Sequence, residues 1–273
     1  MGTSTRSQQP QRATAFGTLL RDWRLNRRMT QEKLALDAEV STRHISYIET
    51  GRAQPSREMV LLLCSVLEVP LRERNVLLVS AGFAPIYGET DYAAPEMAPV
   101  RQAIDILLER HEPYGAIVVD SAWNVRRANR GAKRLFSTFV PTQQSRLLVN
   151  NMLRLLLDPE GLREGLDNWE EVALAALERT HREAIAEGPQ GPAARILSEV
   201  LALPGVPRHF HQPRIGTPLS LVVPLHLRRG ALSVRLFTMI TTLGTPADVT
   251  AQELRVETWF PADEASAEWC RAC

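Results

Sequence analysis

Side chains that could do chemistry occur in two short groups in the second half of the chain. His209 and His211 alternate in the sequence Arg-His-Phe-His, and Glu170 and Glu171 are adjacent after a tryptophan. Alternating histidines on a strand place both rings on one side, as a metal site requires, but no Asp, Glu or Cys is near in sequence to complete a ligand set. Adjacent glutamates on a helix diverge by about 100°, which favours a solvated face over acid–base catalysis. We therefore predict neither a metal site nor a catalytic pair.

The cysteines also give no indication of catalysis. Cys64 lies in the apolar run VLLLCSVL and is interpreted as a small core residue. Cys270 and Cys273 have the spacing of a redox or half-zinc motif, but no second pair accompanies them, so we expect a mobile tail without a function. No Gly-x-Ser-x-Gly elbow, phosphate loop or dinucleotide fingerprint is present. The sequence thus predicts a protein that is not an enzyme and has no certain cofactor.

The stretch VSTRHISYIETGRAQPS, residues 40–56, carries polar side chains suited to hydrogen bonding with a large partner. Only Ile45 and Ile48 recur at helical spacing, so this helix has a narrow apolar stripe. A helix that packs on so small a stripe leaves its other side exposed. That side carries Thr42, Arg43, Ser46 and Tyr47.

Residues 15–82 have the pattern of five short helices that would position this stretch. The first, FGTLLRDWRLNRRM, is amphipathic with a basic polar face. That face carries Arg21, Arg24, Arg27 and Arg28. We expect Thr30 to cap the second helix, Ser41 to cap the third, and Gly51 to end the third in the left-handed conformation. The second and third helices, joined by a tight turn, form a helix-turn-helix arrangement.

The segment MTQEKLALDAEVSTRHISYIETGRAQPS resembles the XRE-type, phage-repressor-like helix-turn-helix DNA-binding domain. The resemblance implies that the third helix enters a major groove and that Gln31 holds a phosphate. Arg43 is the leading candidate for a base contact, because a guanidinium matches guanine O6 and N7 bidentately. Tyr47 either faces a base or packs its ring on the backbone. The DNA-contact candidates are Gln31, Ser41, Thr42, Arg43, Ser46, Tyr47 and Arg52.

One turn residue departs from the family pattern. Glu39 stands where the family usually has Gly. We expect either a positive φ at Glu39, at a cost of order 1 kcal/mol, or a reshaped turn.

The second half of the chain has strands at both ends and helices between. Residues 116–119 form a buried strand, a turn follows, and Trp123, Val125 and Arg127 alternate as a second strand that runs into a helix near Asn129. The middle is helical, and LSLVVPLHL with ALSVRLFTMITTL has the pattern of a hairpin. ELRVETWF is predicted as the last strand. This order indicates an α+β domain.

Three stretches of this half, PYGAIVVDSAWNVRRANRGAKRLF, NMLRLLLDPEGLREGLDNWEEVA and TTLGTPADVTAQELRVETWFPAD, resemble the MmyB-like ligand-binding domain. The resemblance implies a PAS-like fold whose cavity takes a small apolar ligand such as a fatty acid. The candidates for the cavity wall are Val118, Trp123, Phe136, Phe139, Leu153, Trp169, Leu221, Phe237 and Met239, with plain core packing as the alternative for each. His209, His211 and Arg214 are candidates to anchor an acidic headgroup.

Length, charge and proline content divide the chain. A length of 273 residues fits two domains, and residues 1–82 carry a net charge of +4 whereas the remainder carries −3. The expected fold is multidomain: a helical, five-helix helix-turn-helix domain followed by a PAS-like α+β ligand-binding and dimerisation domain. The expected segments are a disordered tail (1–14), the helix-turn-helix domain (15–82), a proline-rich linker (83–99), the PAS-like domain (100–265) and a terminal tail (266–273).

These expectations combine into a sequence-specific transcriptional regulator. We expect a homodimeric repressor on a pseudopalindromic double-stranded DNA operator, controlled by a small-molecule effector. No apolar run is long enough for a membrane span, and the polar start lacks a secretory core, which favours a cytoplasmic protein that joins the nucleoid when bound to its operator. The alternative is a constitutive DNA-binding factor whose second domain only dimerises.

Overall fold

The computed structural model describes residues 9–140, 148–210 and 222–272, with side chains described from residue 15 onward. The chain forms two compact units whose main boundary follows residue 89. None of the helices within these ranges is long and apolar enough to cross a membrane.

The first unit contains five helices, as predicted. They are α1 (Gln9–Asn26), α2 (Gln31–Asp37), α3 (Thr42–Glu49), α4 (Arg57–Val66) and α5 (Leu71–Ser80). The helix α1 begins inside the segment predicted as a disordered tail, of which residues 1–8 lie outside the described ranges. The first helix therefore begins earlier than predicted, at Gln9 instead of near residue 15.

Hydroxyl caps and left-handed residues set the ends of these helices. The side chains of Thr30, Ser41 and Ser56 each accept a hydrogen bond from the backbone N–H three residues later, at 3.1–3.2 Å. Gly51 ends α3 with a φ of 71°, and Glu39 adopts a φ of 54° in the turn between α2 and α3. The predicted caps and the positive φ of Glu39 are thus confirmed.

The core of the first unit holds α3 against α1 through a small number of residues. Ile45 and Ile48 are fully buried together with Phe16 and Leu20 of α1. A Cβ at Gly17 would come within 2.6 Å of the carbonyl oxygens of Ile48 and Glu49, so only glycine allows α1 to approach the end of α3 this closely.

The second unit is α+β, as predicted. Its helices are α6 (Ala98–Arg110), α7 (Arg130–Phe139), α8 (Met152–Leu157), α9 (Trp169–Glu187), α10 (Pro192–Leu201), α11 (Val249–Glu253) and α12 (Glu264–Arg271). Its strands are β1 (Ala116–Val119), β2 (Val125–Ala128), β3 (Leu225–Arg229), β4 (Leu232–Thr242) and β5 (Arg255–Pro261). Asn129 caps α7 by accepting from the N–H of Ala132, near the predicted start of that helix. The prediction that Trp123 belongs to the second strand is wrong, because Trp123 precedes β2 and has a φ of 65°.

The five strands form one antiparallel sheet in the order β2-β1-β5-β4-β3. One face of this sheet packs against α7, α8, α9 and α10 in the main core. The other face, at β1 and β5, packs against α6 and α11 in a smaller cluster that includes Val118 and Val256. Successive residues of a strand point to opposite faces of the sheet. In β1, Ile117 and Val119 therefore belong to the main core, whereas Ala116 and Val118 belong to the smaller cluster.

Regular structure also extends into the predicted linker and the predicted terminal tail. A 3₁₀ turn spans Pro95–Met97, and α6 begins at Ala98 within the predicted linker. The prediction of a mobile tail from 266 onward is wrong for the described residues, because α12 runs to Arg271 and buries Cys270. Trp269 of this helix packs its ring 5.8 Å from that of Phe139. Alternating small and apolar residues in so short a segment gave no signal strong enough to predict a docked helix.

Candidate functional site

The exposed face of α3 is the first candidate site. Ser41, Thr42, Arg43 and Arg52 are exposed, and Ser46 and Tyr47 are half-buried. The structure therefore brings six of the seven predicted DNA contacts to α3 and its two ends. The opposite face of α3 is occupied by core packing, which leaves this polar face free to meet another molecule.

Arg43 and Tyr47 form a pair one helical turn apart. The Arg43 Nε donates a hydrogen bond to Tyr47 Oη at 2.8 Å, and the guanidinium lies 5.1 Å from the centre of the Tyr47 ring. The Tyr47 side chain thus orients the guanidinium of Arg43 along the exposed face. Sequence reasoning had offered only a base or the backbone as partners of this ring.

A buried network behind α3 involves the seventh candidate, Gln31. The Gln31 Nε2 donates to Glu49 Oε2 at 2.8 Å, and Arg24 Nε donates to Glu49 Oε1 at 2.6 Å. Arg24 also donates to Glu49 Oε2 at 3.0 Å and to the carbonyl oxygen of Met29 at 2.8 Å. The hydrogen bond to Glu49 raises the pKa of Arg24 above its ordinary value, against the effect of burial. This network ties α1, α2 and α3 together.

The prediction that Arg24 belongs to the exposed basic face of α1 is wrong. Its side chain is only 8 % exposed. Arg27 of the same predicted face is half-buried and donates to the carbonyl oxygen of Leu67 at 2.9 Å. Helical spacing placed both residues among the polar ones, but only the tertiary fold shows that carboxylate and carbonyl acceptors come from α3 and α4.

The second candidate site is a cavity of about 210 Å³ in the second unit. It lies between the sheet and helices α7, α8 and α9, and its wall is mainly apolar. Three predicted residues line it: Trp123, Phe136 and Phe139. All three are at most 8 % exposed, and the Phe136 ring meets that of Trp259 edge-on at 5.8 Å. Such a wall suits an apolar ligand smaller than the usual drug-sized molecule, whose pockets measure roughly 300–1,000 Å³.

Three other predicted wall residues lie elsewhere. Val118 points to the opposite face of the sheet, in the smaller cluster with α6. Leu153 is fully buried in the main core without lining the cavity. Trp169 is half-buried at the start of α9, where its Nε1 donates to the carbonyl oxygen of Leu156 at 2.8 Å and Arg163 stacks on its ring. Their prediction as cavity residues is wrong, because their apolar character reflects core packing.

The prediction also chose the wrong face of β4. Leu236, Thr238 and Ile240 line the cavity, whereas the ring of Phe237 stacks on that of Phe260 at 5.5 Å. Met239 is 55 % exposed. Both parities of LSVRLFTMITT contain apolar residues, so alternation alone could not identify the inner face.

Of the predicted headgroup anchors, the structure describes only His209, and this residue does not line the cavity. His209 is exposed, with its Nε2 3.9 Å from Glu170 Oε1, and neither residue lines the cavity. His211, Arg214 and Leu221 lie outside the described residues. Within the ranges that the structure describes, no group of three or more His, Cys, Asp or Glu could hold a metal ion.

A charged wall of the cavity was missed by sequence reasoning. Arg179 of α9 and Glu257 of β5 both line the cavity, and Arg179 Nη1 donates to Glu257 Oε1 at 2.6 Å. Arg179 Nε also donates to Glu183 Oε1 at 3.0 Å. Burial opposes the charged form of Arg179, but the two carboxylates outweigh it, so the pKa of Arg179 lies above its ordinary value. The spacing of Val172, Ala176 and Arg179 at i, i+4 and i+7 was a signal that Arg179 shares the inward stripe of α9.

Comparison with known proteins identifies both units. Residues 15–77 match the model of a helix-turn-helix domain, which makes the first unit a DNA-binding domain of a transcription regulator. Residues 100–272, more than half of the chain, match the MmyB-like transcription regulator ligand binding domain. The chain therefore belongs to the MmyB-like transcription regulators, and the predicted family and domain order are confirmed.

Two ClgR regulators are each similar to about a quarter of this chain. The transcriptional regulator ClgR of Mycobacterium tuberculosis is 36 % identical over 66 residues, which cover 24 % of this chain and 56 % of the relative. The chain thus spans little more than half the length of that curated relative. The crystal structure of the clp gene regulator ClgR from C. glutamicum is 29 % identical, with 27 % of this chain and 91 % of that chain covered at a TM-score of 0.24.

Proposed function

We propose that this protein binds a pseudopalindromic operator as a homodimer and represses transcription under the control of a small apolar ligand bound in the second unit. The observation that carries the proposal is the apolar cavity of about 210 Å³ inside the domain that matches a ligand-binding family. The exposed polar face of α3 supports the DNA-binding part. A fatty acid is the ligand that the family resemblance implies.

Base reading is assigned to the pair of Arg43 and Tyr47 on α3. A guanidinium oriented along the exposed helix face can donate to both guanine O6 and N7, worth about 1–3 kcal/mol of discrimination. The contact between Arg43 and Tyr47 supports this assignment, because it reduces the number of orientations that the guanidinium must give up on binding. Thr42 and Ser46 would contact base edges beside Arg43.

Phosphate contacts are assigned to the ends of α2 and α3. Ser41 and Arg52 flank α3 and are exposed, so they can meet the backbone of a duplex. Gln31 is held by Glu49 near the N-terminus of α2, where a phosphate would be favoured. In a homodimer, two copies of α3 would read half-sites about one helical turn, roughly 34 Å, apart.

An operator selection from random DNA followed by binding measurements tests the DNA-contact assignments. Arg43→Ala should relax preference at one base pair, and Gln31→Ala should weaken binding to all sequences about equally. Arg110→Ala in α6 is the matched control, since it removes an exposed guanidinium from the other unit. If Arg43→Ala and Gln31→Ala both weaken binding to all sequences equally, the assignment of Arg43 as a base contact is contradicted. Unfolding curves for Gln31→Ala separate loss of a DNA contact from loss of the hydrogen bond to Glu49.

Ligand control requires that the ligand bind the DNA-competent and DNA-incompetent forms with different affinities. A difference of about 1–3 kcal/mol changes operator affinity roughly 5–150-fold. Native mass spectrometry of the purified protein, together with operator titrations with and without dodecanoate, tests this requirement. A bound small molecule and a shifted operator affinity support sensing. A clean mass and an unchanged operator affinity with every apolar compound tried would favour a constitutive DNA-binding factor.

The sign of regulation is tested by transcription in vitro from a promoter that carries the selected operator. Repression predicts that added protein lowers transcript yield, and Arg43→Ala should restore it. A rise in transcript yield would show activation instead.

A further inference from the structure

Two hydrogen-bond donors at the cavity wall have no acceptor. The indole Nε1 of Trp123 and the Nη2 of Arg179 are buried and have no hydrogen-bond partner among the residues that the structure describes. Both residues line the cavity, and Trp123 is 95 % buried, since its exposure is 5 %. Buried donors in folded proteins almost always have a partner, so two adjacent exceptions at one wall indicate a missing acceptor.

The two residues that carry these donors are in contact and are held in place. The Arg179 guanidinium lies 4.4 Å from the centre of the Trp123 ring. Trp123 has a φ of 65°, and its turn is closed by hydrogen bonds from its N–H to Asp120 O and from Met152 N–H to Trp123 O, both at 2.9 Å. Such backbone strain in a bulky residue is maintained at functional sites when surrounding contacts enforce it.

The charges around these donors are already balanced. Glu257 and Glu183 accept hydrogen bonds from Arg179. Arg255 Nη1 in turn lies 3.3 Å from Glu183 Oε2, and its side chain is 16 % exposed. Two guanidinium and two carboxylate groups thus balance in charge within this cluster, of which Arg179 and Glu257 line the cavity. An ionised carboxylate on a ligand would add one uncompensated negative charge to a largely dehydrated site.

We propose that the cavity takes a ligand with an apolar body and an uncharged hydrogen-bond-accepting end, such as an ester, lactone or amide carbonyl, which Trp123 Nε1 and Arg179 Nη2 recognise. This inference rests on the proposed function of the cavity as a ligand site and narrows its ligand class. A carbonyl oxygen has two lone pairs and can accept from both donors at once. The apolar body lies against the aromatic wall formed by Phe136, Phe139 and Trp259.

The test compares matched probes on the full-length protein by isothermal titration calorimetry. Methyl octanoate and octanoate differ in the charge of the head group, and octane lacks the acceptor. We expect methyl octanoate to bind at least tenfold tighter than octanoate and about three- to tenfold tighter than octane. Trp123→Phe and Arg179→Lys each remove one unpartnered donor and should reduce the preference for methyl octanoate over octane about threefold or more. Arg179→Lys keeps the positive charge between the two glutamates.

Two control variants separate recognition of the head group from general packing. Trp169→Phe makes the same chemical change outside the cavity and should leave the probe preferences unchanged. Phe136→Leu trims the apolar wall and should weaken methyl octanoate and octane by the same factor.

The outcomes distinguish this inference from the proposed function. The inference is supported if the preference for methyl octanoate over octane is smaller in Trp123→Phe and in Arg179→Lys than in the original protein. Octanoate that binds as well as the ester, or an ester preference that both variants retain, overturns it while ligand control stands. If none of the three probes binds and operator affinity is unaffected by each, the inference fails together with the ligand-control part of the proposed function, whereas the DNA-contact assignments stand.

Discussion

Each unit contains an arginine that is largely shielded from solvent and paired with glutamate, and the two arginines differ in how many of their donors have an acceptor. In the first unit, Arg24 donates through Nε, Nη1 and Nη2, and every one of these nitrogens has an acceptor. In the second unit, Arg179 donates through Nε and Nη1 but its Nη2 has no described acceptor. The first pair joins α1 to α3 beside the packed core of the first unit, and the second pair forms part of a cavity wall.

The difference separates a structural ion pair from a candidate binding site. A buried pair whose donors are all hydrogen-bonded within the protein fixes the relative positions of the helices that carry it. A partly satisfied pair at a cavity leaves donors that a second molecule can complete. The two candidate sites therefore differ: α3 has an exposed polar face supported by a packed core, whereas the second unit contains a cavity within its core.

The largest expected effect is on the first pair. Glu49→Ala leaves the buried Arg24 without its carboxylate and should destabilise the first unit by about 3–5 kcal/mol. Hydrogen exchange of the amides of α1 to α5 measures this loss without assuming that the whole chain unfolds in one step. Arg24→Met combined with Glu49→Leu should recover most of it, because no buried charge then lacks a partner. Glu32→Ala, an exposed carboxylate of α2, is the control and should change stability by less than about 0.5 kcal/mol.

The second expected effect concerns the cavity. Ala176→Phe places a ring into the space between α9 and the sheet and should abolish the effect of ligand on operator affinity, a loss of about 1–3 kcal/mol in coupling. Operator affinity without ligand should stay the same, because the first unit is untouched. Operator titrations with and without methyl octanoate measure both quantities. A ligand response that survives this substitution would show that the effector binds elsewhere.

A smaller effect is expected on the surface of α3. Tyr47→Phe removes the acceptor of the Arg43 Nε hydrogen bond but keeps the ring beneath the guanidinium. Because the pair is exposed, we expect operator affinity to fall by about 1 kcal/mol or less, with non-specific binding unchanged. Fluorescence anisotropy with the selected operator and a scrambled duplex measures the two affinities. Tyr87→Phe, which removes a hydroxyl near Arg74 away from α3, is the matched control and should have no effect on operator affinity.

The smallest effect is expected at Met239. Its side chain is 55 % exposed on the outer side of β4, so Met239→Ser should leave ligand affinity and stability within about 0.5 kcal/mol of the original protein. Leu236→Ala, on the inner side of the same strand and 1 % exposed, should destabilise the second unit by about 2–5 kcal/mol. Thermal unfolding and calorimetry distinguish the two. Equal effects at both positions would contradict the observed parity of β4.

Local features of the two units could be predicted because they depend on neighbours in sequence. The hydroxyl caps at Thr30 and Ser41 and the left-handed residues Glu39 and Gly51 are set by interactions that close within three or four residues. The strand at 116–119 and the helix capped by Asn129 follow from short apolar runs and a polar cap. For the same reason the order of elements in the second unit was correct.

Features that depend on distant segments could not be predicted. Arg24 and Glu49 are 25 residues apart, and Arg179 and Glu257 are 78 residues apart. An arginine at helical spacing appears equally suited to solvent and to a buried carboxylate, until the fold supplies the acceptor. The inner face of β4 was likewise ambiguous, because both of its parities carry apolar residues.

By itself, the sequence determined the two domains, the helix-turn-helix and α+β classes, the family, and which side of α3 faces outward. Only the tertiary structure decided which residues line the cavity and that the last helix packs on the core. It also decided that Trp123 and Arg179 are in contact, each with a buried hydrogen-bond donor that has no acceptor among the described residues. Secondary structure and capping are governed by short-range periodicity, whereas a cavity and its charges arise where segments far apart in the chain pack together.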